Sequence, residues 1–347
     1  MCPLYLISND EQEMTGCEPG IILTRRCLHA KIGPLAPSIR APVEPGKRMN
    51  ESCAIIILNW NNAPDTSATV QAIQTWTTLT PSVWVVDNGS QDDSVERIRR
   101  ECPGVRLLQA DHNLGFAAGN NLALRLALDE GQADYFLLLN NDAVINQAGL
   151  SQLLTTAEHY GAGVVGSILR DPPPSAALQS AGGRNVAWHA DTHIRDIPSN
   201  TEPYPVDYVP GTAILIRADL IREIGVLDEA YFISGEIADF CLRARRHGAR
   251  LLIDPQVTVY HDQGRSSELR IAFYAYYFLR NRFLFVRKFY PHLCWLLAPR
   301  WAVLGVVSIA SAWKRGERQR ARALLLGLRH GLSGRFGDCS PQVLALK

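Results

Sequence analysis

Residues 53–62 read Cys-Ala-Ile-Ile-Ile-Leu-Asn-Trp-Asn-Asn, an apolar, β-branched run that changes abruptly into polar residues. A short apolar run bounded by turn-forming residues predicts a buried strand followed by a loop. The same pattern recurs where Val83–Val86 precedes Asp87-Asn-Gly-Ser90, and where Tyr135–Leu139 precedes Asn140-Asn-Asp142. Three buried strands of this region therefore end in Asn and Asp side chains.

Segments with helical spacing separate these strands, namely Asp65–Leu79, Asp92–Glu101 and Leu122–Leu128, and Val105–Leu108 predicts one further strand. Buried strands joined by helices build βαβ units on a parallel sheet. We therefore predict an α/β fold with a mostly parallel sheet flanked by helices. Ligands of such sheets bind beyond the carboxyl ends of the strands, which is where the Asn and Asp residues stand.

The composition is that of a globular protein, because 47% of the 347 residues are hydrophobic and 20% are charged. Wholesale disorder, collagen-like repeats and coiled coil are excluded. The formal net charge of +1 hides an asymmetry, since residues 270–347 carry 14 basic and two acidic side chains. A basic tail on an acidic body predicts contact with an anionic membrane surface, and we expect no nucleic-acid partner.

Three regions follow from these patterns. Residues 1–50 are irregular and proline-rich, and we expect them to be dispensable. Residues 51–268 should form the main domain, and residues 269–347 a basic, helical, partly amphipathic extension. Within the extension, Trp301–Trp313 is only 13 residues free of charge, fewer than the ~20 of a membrane-spanning helix. It predicts either a helix lying in the membrane interface or a buried helical hairpin.

The expected location is the cytoplasm. The N-terminal residues show no secretory signal pattern, and the eight cysteines form no Cys-x-x-Cys pair, as expected of reduced thiols. The basic extension adds the expectation of peripheral attachment to the inner face of the plasma membrane.

Two acids at predicted strand ends have alternative interpretations. Asp87 begins an Asp-Asn-Gly-Ser sequence, which is strong turn chemistry, or it accepts hydrogen bonds from a nucleobase or ribose. Asp142 likewise forms a turn, or it holds a hard divalent cation between itself and two phosphates.

A glycine-rich segment, residues 113–121, reads Asn-Leu-Gly-Phe-Ala-Ala-Gly-Asn-Asn and stands before a predicted helix. Backbone amides at a helix N-terminus suit a phosphate. The segment lacks the Lys-Ser/Thr of a P-loop and the three-glycine dinucleotide fingerprint, which argues against ATPase and NAD-binding functions. A simple loop leading into the helix is the alternative.

Glu236 and Asp239 stand three residues apart at the start of a predicted helix and share one of its faces. Acids in a first turn are favoured by the helix dipole alone. The functional alternative is a general base that removes a proton from an acceptor hydroxyl.

Taken in order, these segments resemble the family 2 glycosyltransferases of GT-A fold, particularly the rhamnosyltransferase-like members. The resemblance runs from about Ala54 to Arg287. Each segment is weak alone, but six in the same order are specific. The segments are Ile57–Asn61, Val85–Ser90, Asn113–Asn120, Leu137–Asp142, Gly225–Glu229 and Glu236–Arg246.

The resemblance implies the roles of the site residues. Asp142 matches the metal-binding end of a degenerate Asp-x-Asp motif, and His261 matches a histidine near the metal and the diphosphate. The implied cofactor is a divalent cation, Mn²⁺ or Mg²⁺. The implied donor-binding residues are Asn59, Asn61, Asp87, Asn113, Gly115, Gly119, Asn120 and Asn140.

One departure concerns the catalytic base. The family usually reads Gly-Glu-Asp-Val-Asp-Leu-Cys here, and the acid after Glu is its usual base, whereas this chain has Ile237 and then Ala238. Glu236 matches the first family acid and Asp239 the last, so either could act as base, or neither. We expect Asp239 to be the more important, with Arg243 one turn further on.

The implied function is an inverting, metal-dependent transfer of a hexosyl or deoxyhexosyl group. The sugar moves from a nucleotide-sugar donor to a hydroxyl of a cell-surface glycan or lipid-linked acceptor. Ile237 and Ala238 motivate an alternative, a catalytically weakened sugar-nucleotide-binding module. A sugar nucleotidyltransferase ranks last, because the loop after its first strand should be rich in Gly, Arg and Lys, and here it is Asn59–Asn62.

Overall fold

The computed structural model describes residues 52–131, 133–262 and 268–346, and the side chains of residues 268–270 lie outside the description. The predictions for residues 1–50 also fall outside the described residues. The described elements of the first half are β1 (Cys53–Asn59), α1 (Ala63–Gln74), β2 (Ser82–Asp87), α2 (Ser94–Glu101), β3 (Arg106–Gln109), α3 (Gly115–Glu130), β4 (Tyr135–Asn140), β5 (Ala143–Val144), α4 (Gln147–His159) and β6 (Ala162–Arg170).

The second half contains fewer strands and more helices. Its elements are β7 (Leu178–Ser180), β8 (Tyr204–Pro205), β9 (Ala213–Arg217), α5 (Ala218–Ile224), α6 (Glu236–Arg246), β10 (Arg250–His261), α7 (Glu268–Phe289), α8 (Cys294–Lys314), α9 (Arg318–Ser333) and α10 (Ser340–Leu344).

The described strands form one mixed sheet whose main path runs β3-β2-β1-β4-β9-β6-β10-β5. The first four strands are parallel, as predicted, and their helices cover both faces. β9 lies antiparallel to both β4 and β6. The chain passes from β6 to β9 without a helical crossover, and only a parallel neighbour requires one. The predicted α/β fold with a helical C-terminal extension is confirmed.

The glycine-rich segment is helical rather than a loop, because α3 already begins at Gly115. Gly115 has a φ of +81°, and a Cβ there would lie 2.5 Å from the carbonyl oxygen of Phe232. A left-handed backbone in such close contact requires glycine. The predicted start at Leu122 was therefore too late, since the glycines read as a loop in sequence but allow close packing in the fold.

Helices α7, α8 and α9 pack on one another and continue the core of the sheet domain. Phe283, Trp301 and Leu324 belong to the same buried cluster as Phe136 of β4 and Ile214 of β9. The segment Pro291–Lys314 is the one described helix that is long and apolar enough, by length and composition, to cross a membrane. It is longer than the 13-residue uncharged stretch, because the helix continues through Pro299 and Arg300.

Arg280 of α7 is fully buried and joins the extension to the loop before α6. Its guanidinium donates to the carbonyl oxygens of Ala230 (3.2 Å), Tyr231 (2.8 Å) and Gly337 (2.5 Å). Burial of an arginine is tolerated because its donors have partners. Arg280 therefore holds backbone groups that no secondary structure satisfies.

We expect Arg280→Met to lower the free energy of unfolding by about 3 kcal/mol, because the carbonyl oxygens of Ala230, Tyr231 and Gly337 would each lose one charged donor. Urea unfolding followed by circular dichroism measures this change. Arg329→Met, at an exposed position of α9, is the matched control and should change stability by less than about 0.5 kcal/mol. Equal effects of the two substitutions would show that the hydrogen bonds of Arg280 to these carbonyl oxygens do not stabilise the fold.

Candidate active site

The carboxyl ends of β1 and β2 meet in a network of buried polar side chains. Asn59 Nδ2 donates to Asp87 Oδ1 at 2.8 Å and Thr66 Oγ1 donates to Asn59 Oδ1 at 2.7 Å. Ser90 contributes both its backbone N–H and its hydroxyl to the Asp87 carboxylate, at 3.0 and 2.6 Å. Asn61 Oδ1 caps the amide of Gln91 in the same region. The predicted residues Asn59, Asn61 and Asp87 are thus brought together.

The amide groups at the start of α3 already donate to protein oxygen atoms. Phe116 N and Ala117 N donate to the Phe232 carbonyl at 2.7 and 3.3 Å, and Gly115 N donates to Asn113 Oδ1 at 2.8 Å. Asn120 Nδ2 donates to a carbonyl of its own helix. Gly119 packs against the end of β1, since a Cβ there would be 2.6 Å from Leu58 Cδ1. In this structure the glycine-rich segment therefore packs against the strand ends, and its amide groups donate to protein oxygen atoms.

A cavity of about 470 Å³ lies between the sheet edge, the start of α6 and α7. Asn140 and His261 reach it from the ends of β4 and β10, and Glu236 from the first turn of α6. Aromatic side chains of α7 form its opposite wall, namely Tyr274, Phe278 and Phe285. The cavity therefore combines a polar end with an apolar wall.

The loop that presents Glu236 has a strained backbone held by α7. Phe232 and Ser234 have positive φ angles of 64° and 69°, a conformation that costs non-glycine residues of order 1 kcal/mol or more. Asn281 Nδ2 donates to the carbonyl oxygens of Tyr231, Ile233 and Ser234 at 3.0, 2.8 and 2.6 Å. Helix α7 therefore fixes the position from which α6 starts.

Glu236 is 5% exposed, and its Oε2 atom has no hydrogen-bond partner among the described residues. Burial raises the pKa of Glu236 to about 7, and the nearby negative charge of Asp239 acts in the same direction. A carboxylate with this pKa changes protonation near neutral pH.

Asp239 has a different environment, although it lies on the same helix face. Its carboxylate is completely buried and pairs with Arg243 Nε at 2.8 Å and Lys288 Nζ at 2.5 Å. Lys288, from α7, also pairs with Asp228 at 2.6 Å. Asp239 thus connects α6 to α7 behind the residues that line the cavity.

His261 and Asp142 are in contact, with 3.2 Å between Nε2 and Oδ1. Gln179 Nε2 donates to the His261 carbonyl at 2.5 Å, which directs its Oε1 to His261 Nδ1 at 3.3 Å. Nε2 is thereby directed at the Asp142 carboxylate. A carboxylate oxygen and an imidazole nitrogen side by side are ligand types that a divalent cation takes.

Sequence reasoning missed His193, which lines the same cavity from the irregular region between β7 and β8. Its Nδ1 lies 3.0 Å from Ser180 Oγ, and burial lowers the pKa of His193. The surrounding sequence has no periodicity that would have singled it out. Gln179 and Asn281 were missed for the same reason, because their roles depend on elements distant in the chain.

Residues 54–225, which hold the ends of β1, β2 and β4 and eight of the twenty residues that line the cavity, match the sequence model described as glycosyl transferase family 2. The chain belongs to this family. The match includes β1 to β9 of the sheet and leaves β10 outside it.

Relatives of this glycosyltransferase transfer rhamnose and hexose. An N-acetylglucosaminyl-diphospho-decaprenol L-rhamnosyltransferase of Mycobacterium tuberculosis is 25% identical over 82% of this chain and 99% of its own. The low-salt glycan biosynthesis hexosyltransferase Agl10 of Haloferax volcanii is 25% identical over 68% of this chain and 76% of its own.

Among solved structures, the mannosyltransferase PcManGT of Pyrobaculum calidifontis, in complex with GDP-Man and Mn²⁺, shares the fold of this glycosyltransferase. The two structures superpose with a TM-score of 0.52 at 17% identity, covering 86% of this chain and 90% of the other.

The buried pairing of Asp239 generates a stability prediction. Asp239→Asn in the glycosyltransferase should lower the free energy of unfolding by about 3 kcal/mol, because Arg243 and Lys288 would lose a buried counter-charge. Chemical unfolding measures the change. Asp219→Asn removes an exposed ion pair with Arg217 and should cost less than about 1 kcal/mol. A small loss at both positions would show that the buried pairing contributes little.

Proposed function

We propose that this glycosyltransferase moves a sugar from a nucleotide-sugar donor to a hydroxyl of a cell-surface glycan or lipid-linked acceptor. The transfer inverts the configuration at the anomeric carbon of the sugar. We place the reaction at the cytoplasmic face of the membrane. The observation that carries the proposal is the Glu236 carboxylate, which lines the cavity beside Asn140 and His261 with one oxygen unpartnered. Direct displacement at the sugar needs one such base and leaves the configuration inverted.

Glu236 is the base in this proposal, in preference to Asp239. A base must reach the acceptor hydroxyl and must be ionised at the working pH. Glu236 lines the cavity and has a pKa of about 7, whereas Asp239 is held by Arg243 and Lys288. Ionised Glu236 would accept the hydroxyl proton as the hydroxyl oxygen attacks the sugar. Asp239 then acts by positioning the helix that carries Glu236.

A divalent cation fits Asp142 and His261. Their carboxylate oxygen and imidazole nitrogen suit Mn²⁺, and Mg²⁺ would rely on Asp142 and water. Within the described ranges, no group of three or more His, Cys, Asp or Glu side chains gathers at one point. These two residues would therefore hold the ion together with donor phosphate oxygens and water. The cation would neutralise the negative charge that develops on the leaving diphosphate.

The nucleotide would bind along the strand ends of β1, β2 and β4. Asn59 and Asp87 are buried and hydrogen-bonded to each other, to Thr66 and to Ser90, so in this proposal they support the nucleotide site from beneath, and Asn61 lies beside them. Asn140 lies between that site and the cavity. Asn113, Gly115, Gly119 and Asn120 support it from α3 in this proposal, by packing.

The acceptor would enter along the aromatic wall of the cavity. Tyr274 and Phe278 are each about 40% exposed, and Ile237 adds an aliphatic group next to Glu236. Such a wall suits the apolar face of a sugar or the first part of a lipid carrier. A second candidate is a sugar-nucleotide-binding module with weakened catalysis, because Ile237 places an apolar group where the family usually has an acid, and the apolar Ala238 follows it.

Glu236→Gln should reduce sugar transfer by on the order of 100-fold or more, with donor affinity near normal, because the amide cannot accept the proton. Asp239→Asn should reduce transfer less. Donor turnover and release of nucleoside diphosphate measure the rates, and isothermal titration measures donor binding. His193→Gln is the matched control within the cavity. A larger loss in that variant would move the base to His193.

The pH dependence provides an independent test of Glu236. Its ionised form is the active one, so transfer should rise with pH through about 7 and level off above it. Glu236→Gln should abolish this limb of the profile. Donor binding without release of nucleoside diphosphate at any pH would instead support the binding module.

Asp142→Asn should weaken Mn²⁺-dependent donor binding by about tenfold or more, because a neutral amide cannot balance diphosphate charge. Thermal shift with UDP, GDP or dTDP, each with and without Mn²⁺, measures the effect. Asp219→Asn, which removes a carboxylate that pairs with Arg217 and does not line the cavity, is the control. Unchanged Mn²⁺ dependence in Asp142→Asn would remove Asp142 from the metal site.

A further inference from the structure

Helix α8 is apolar on the side that the described protein leaves uncovered. Only 17% of its apolar window is buried. A helix that is apolar all round is normally enclosed by protein or by lipid. We call its uncovered apolar residues the α8 face, and they are Trp295, Leu296, Val303, Val306, Val307 and Trp313, with exposed fractions from 47 to 75%.

The opposite side of α8 is fixed to the protein. Leu297, Trp301, Gly305 and Ala312 are buried at helical spacing. A Cβ at Gly305 would lie 3.1 Å from Leu279 of α7, so the two helices approach closely there. Helix α8 therefore has one docked stripe and one uncovered stripe, and lipid cannot surround it without breaking the docked stripe.

Positive charge follows the α8 face directly. Lys314–Arg322 contains five basic residues and one acid, Glu317, in nine positions. Trp295 and Trp313 stand near the two ends of α8, and tryptophan is enriched at the boundary between membrane and water. An apolar face, terminal tryptophans and an adjacent basic segment together match an anionic bilayer surface in both polarity and charge.

The docked side of α8 is in contact with the wall of the cavity. The Arg282 guanidinium lies 4.4 Å from the ring centroids of both Phe278, which lines the cavity, and Trp301 of α8. Trp301 Nε1 donates to Ala187 O at 3.0 Å, next to the cavity residue Val186. The Arg282 side chain therefore connects α8 directly to the cavity wall, and a membrane that bound α8 would lie close to the cavity.

We propose that the α8 face lies in the headgroup region of an anionic lipid bilayer and holds the cavity at the membrane surface. The helix lies in the interface and does not span the membrane, because Leu297, Trp301, Gly305 and Ala312 are packed on the protein and lipid cannot surround them. The inference that the bilayer would bring a lipid-linked acceptor to the cavity rests on the proposed function. The binding of the bilayer to the α8 face does not.

Flotation of the full chain with phosphatidylglycerol-containing vesicles tests the proposal. We expect Val303→Gln/Val307→Gln to weaken binding by about tenfold or more, because apolar area enters the interface. Leu126→Gln/Leu344→Gln removes partly exposed leucines elsewhere and should bind as the wild type does. Circular dichroism and thermal unfolding of each variant verify that the fold is retained.

The charge term has its own variant. Lys314→Glu/Arg318→Glu should reduce binding to phosphatidylglycerol vesicles by about tenfold, and high salt should weaken wild-type binding, because screening acts on exposed charges. Vesicles of phosphatidylcholine alone should bind the wild type less tightly than anionic vesicles. Equal binding to both kinds of vesicle would overturn the anionic part of the proposal.

Further results would overturn the proposal. It would be wrong if the wild type failed to bind vesicles, or if Val303→Gln/Val307→Gln bound as well as the control variant. Alternatively, alkaline carbonate would fail to extract the protein, which would show that α8 spans the membrane. A concentration-dependent dimer that only the α8 variant loses would assign the α8 face to a second copy of the chain.

Failure of the proposed function is distinguishable from these outcomes. Thermal shift with UDP, GDP or dTDP and Mn²⁺ should be unchanged in Val303→Gln/Val307→Gln, since the α8 face does not line the cavity. A protein that floats with vesicles but releases no nucleoside diphosphate from any donor would retain the membrane surface and lose the proposed transferase activity.

Discussion

The site depends on the backbone carbonyl groups of residues 230–234, which accept hydrogen bonds from two helices, α7 and α3. Arg280 and Asn281 donate to them from α7, and the first amides of α3 donate to the carbonyl of Phe232. A loop with unsatisfied buried carbonyls would be expensive, so these donors determine where the loop lies. The loop in turn determines where α6 begins. The helix after the sheet domain and the glycine-rich helix within it therefore converge on Glu236.

This convergence gives two neighbouring acids different chemistry. Glu236 faces a cavity with an apolar wall, where burial favours its neutral form and raises its pKa to about 7. Asp239, three residues later, is paired with Arg243 and Lys288. Lys288 belongs to the basic extension. Part of the positive charge in that extension thus serves the interior, while Lys314, Arg315 and Arg318 are exposed at the surface.

The extension is consequently part of the site as well as a candidate membrane surface. Its buried residues share a core cluster with the sheet, and its Phe278 and Arg282 line the cavity. The proposed base is on α6, the proposed acceptor wall is on α7 and the α8 face is on α8, so the three follow one another along successive helices. This arrangement gives a physical reason for a cavity that works on acceptors presented at a surface.

The sequence by itself determined the α/β fold, the family, and the strands β1, β2 and β4, because apolar runs ending in Asn and Asp are local signals. It also showed the basic extension and the two acids at the start of α6. Only the tertiary structure decided that α3 begins at Gly115, that β9 is antiparallel, and which groups surround Glu236 and Asp239. Those features depend on Phe232, Lys288 and Arg280, which are distant in sequence, and a pattern of neighbouring residues contains no information about which distant groups meet them.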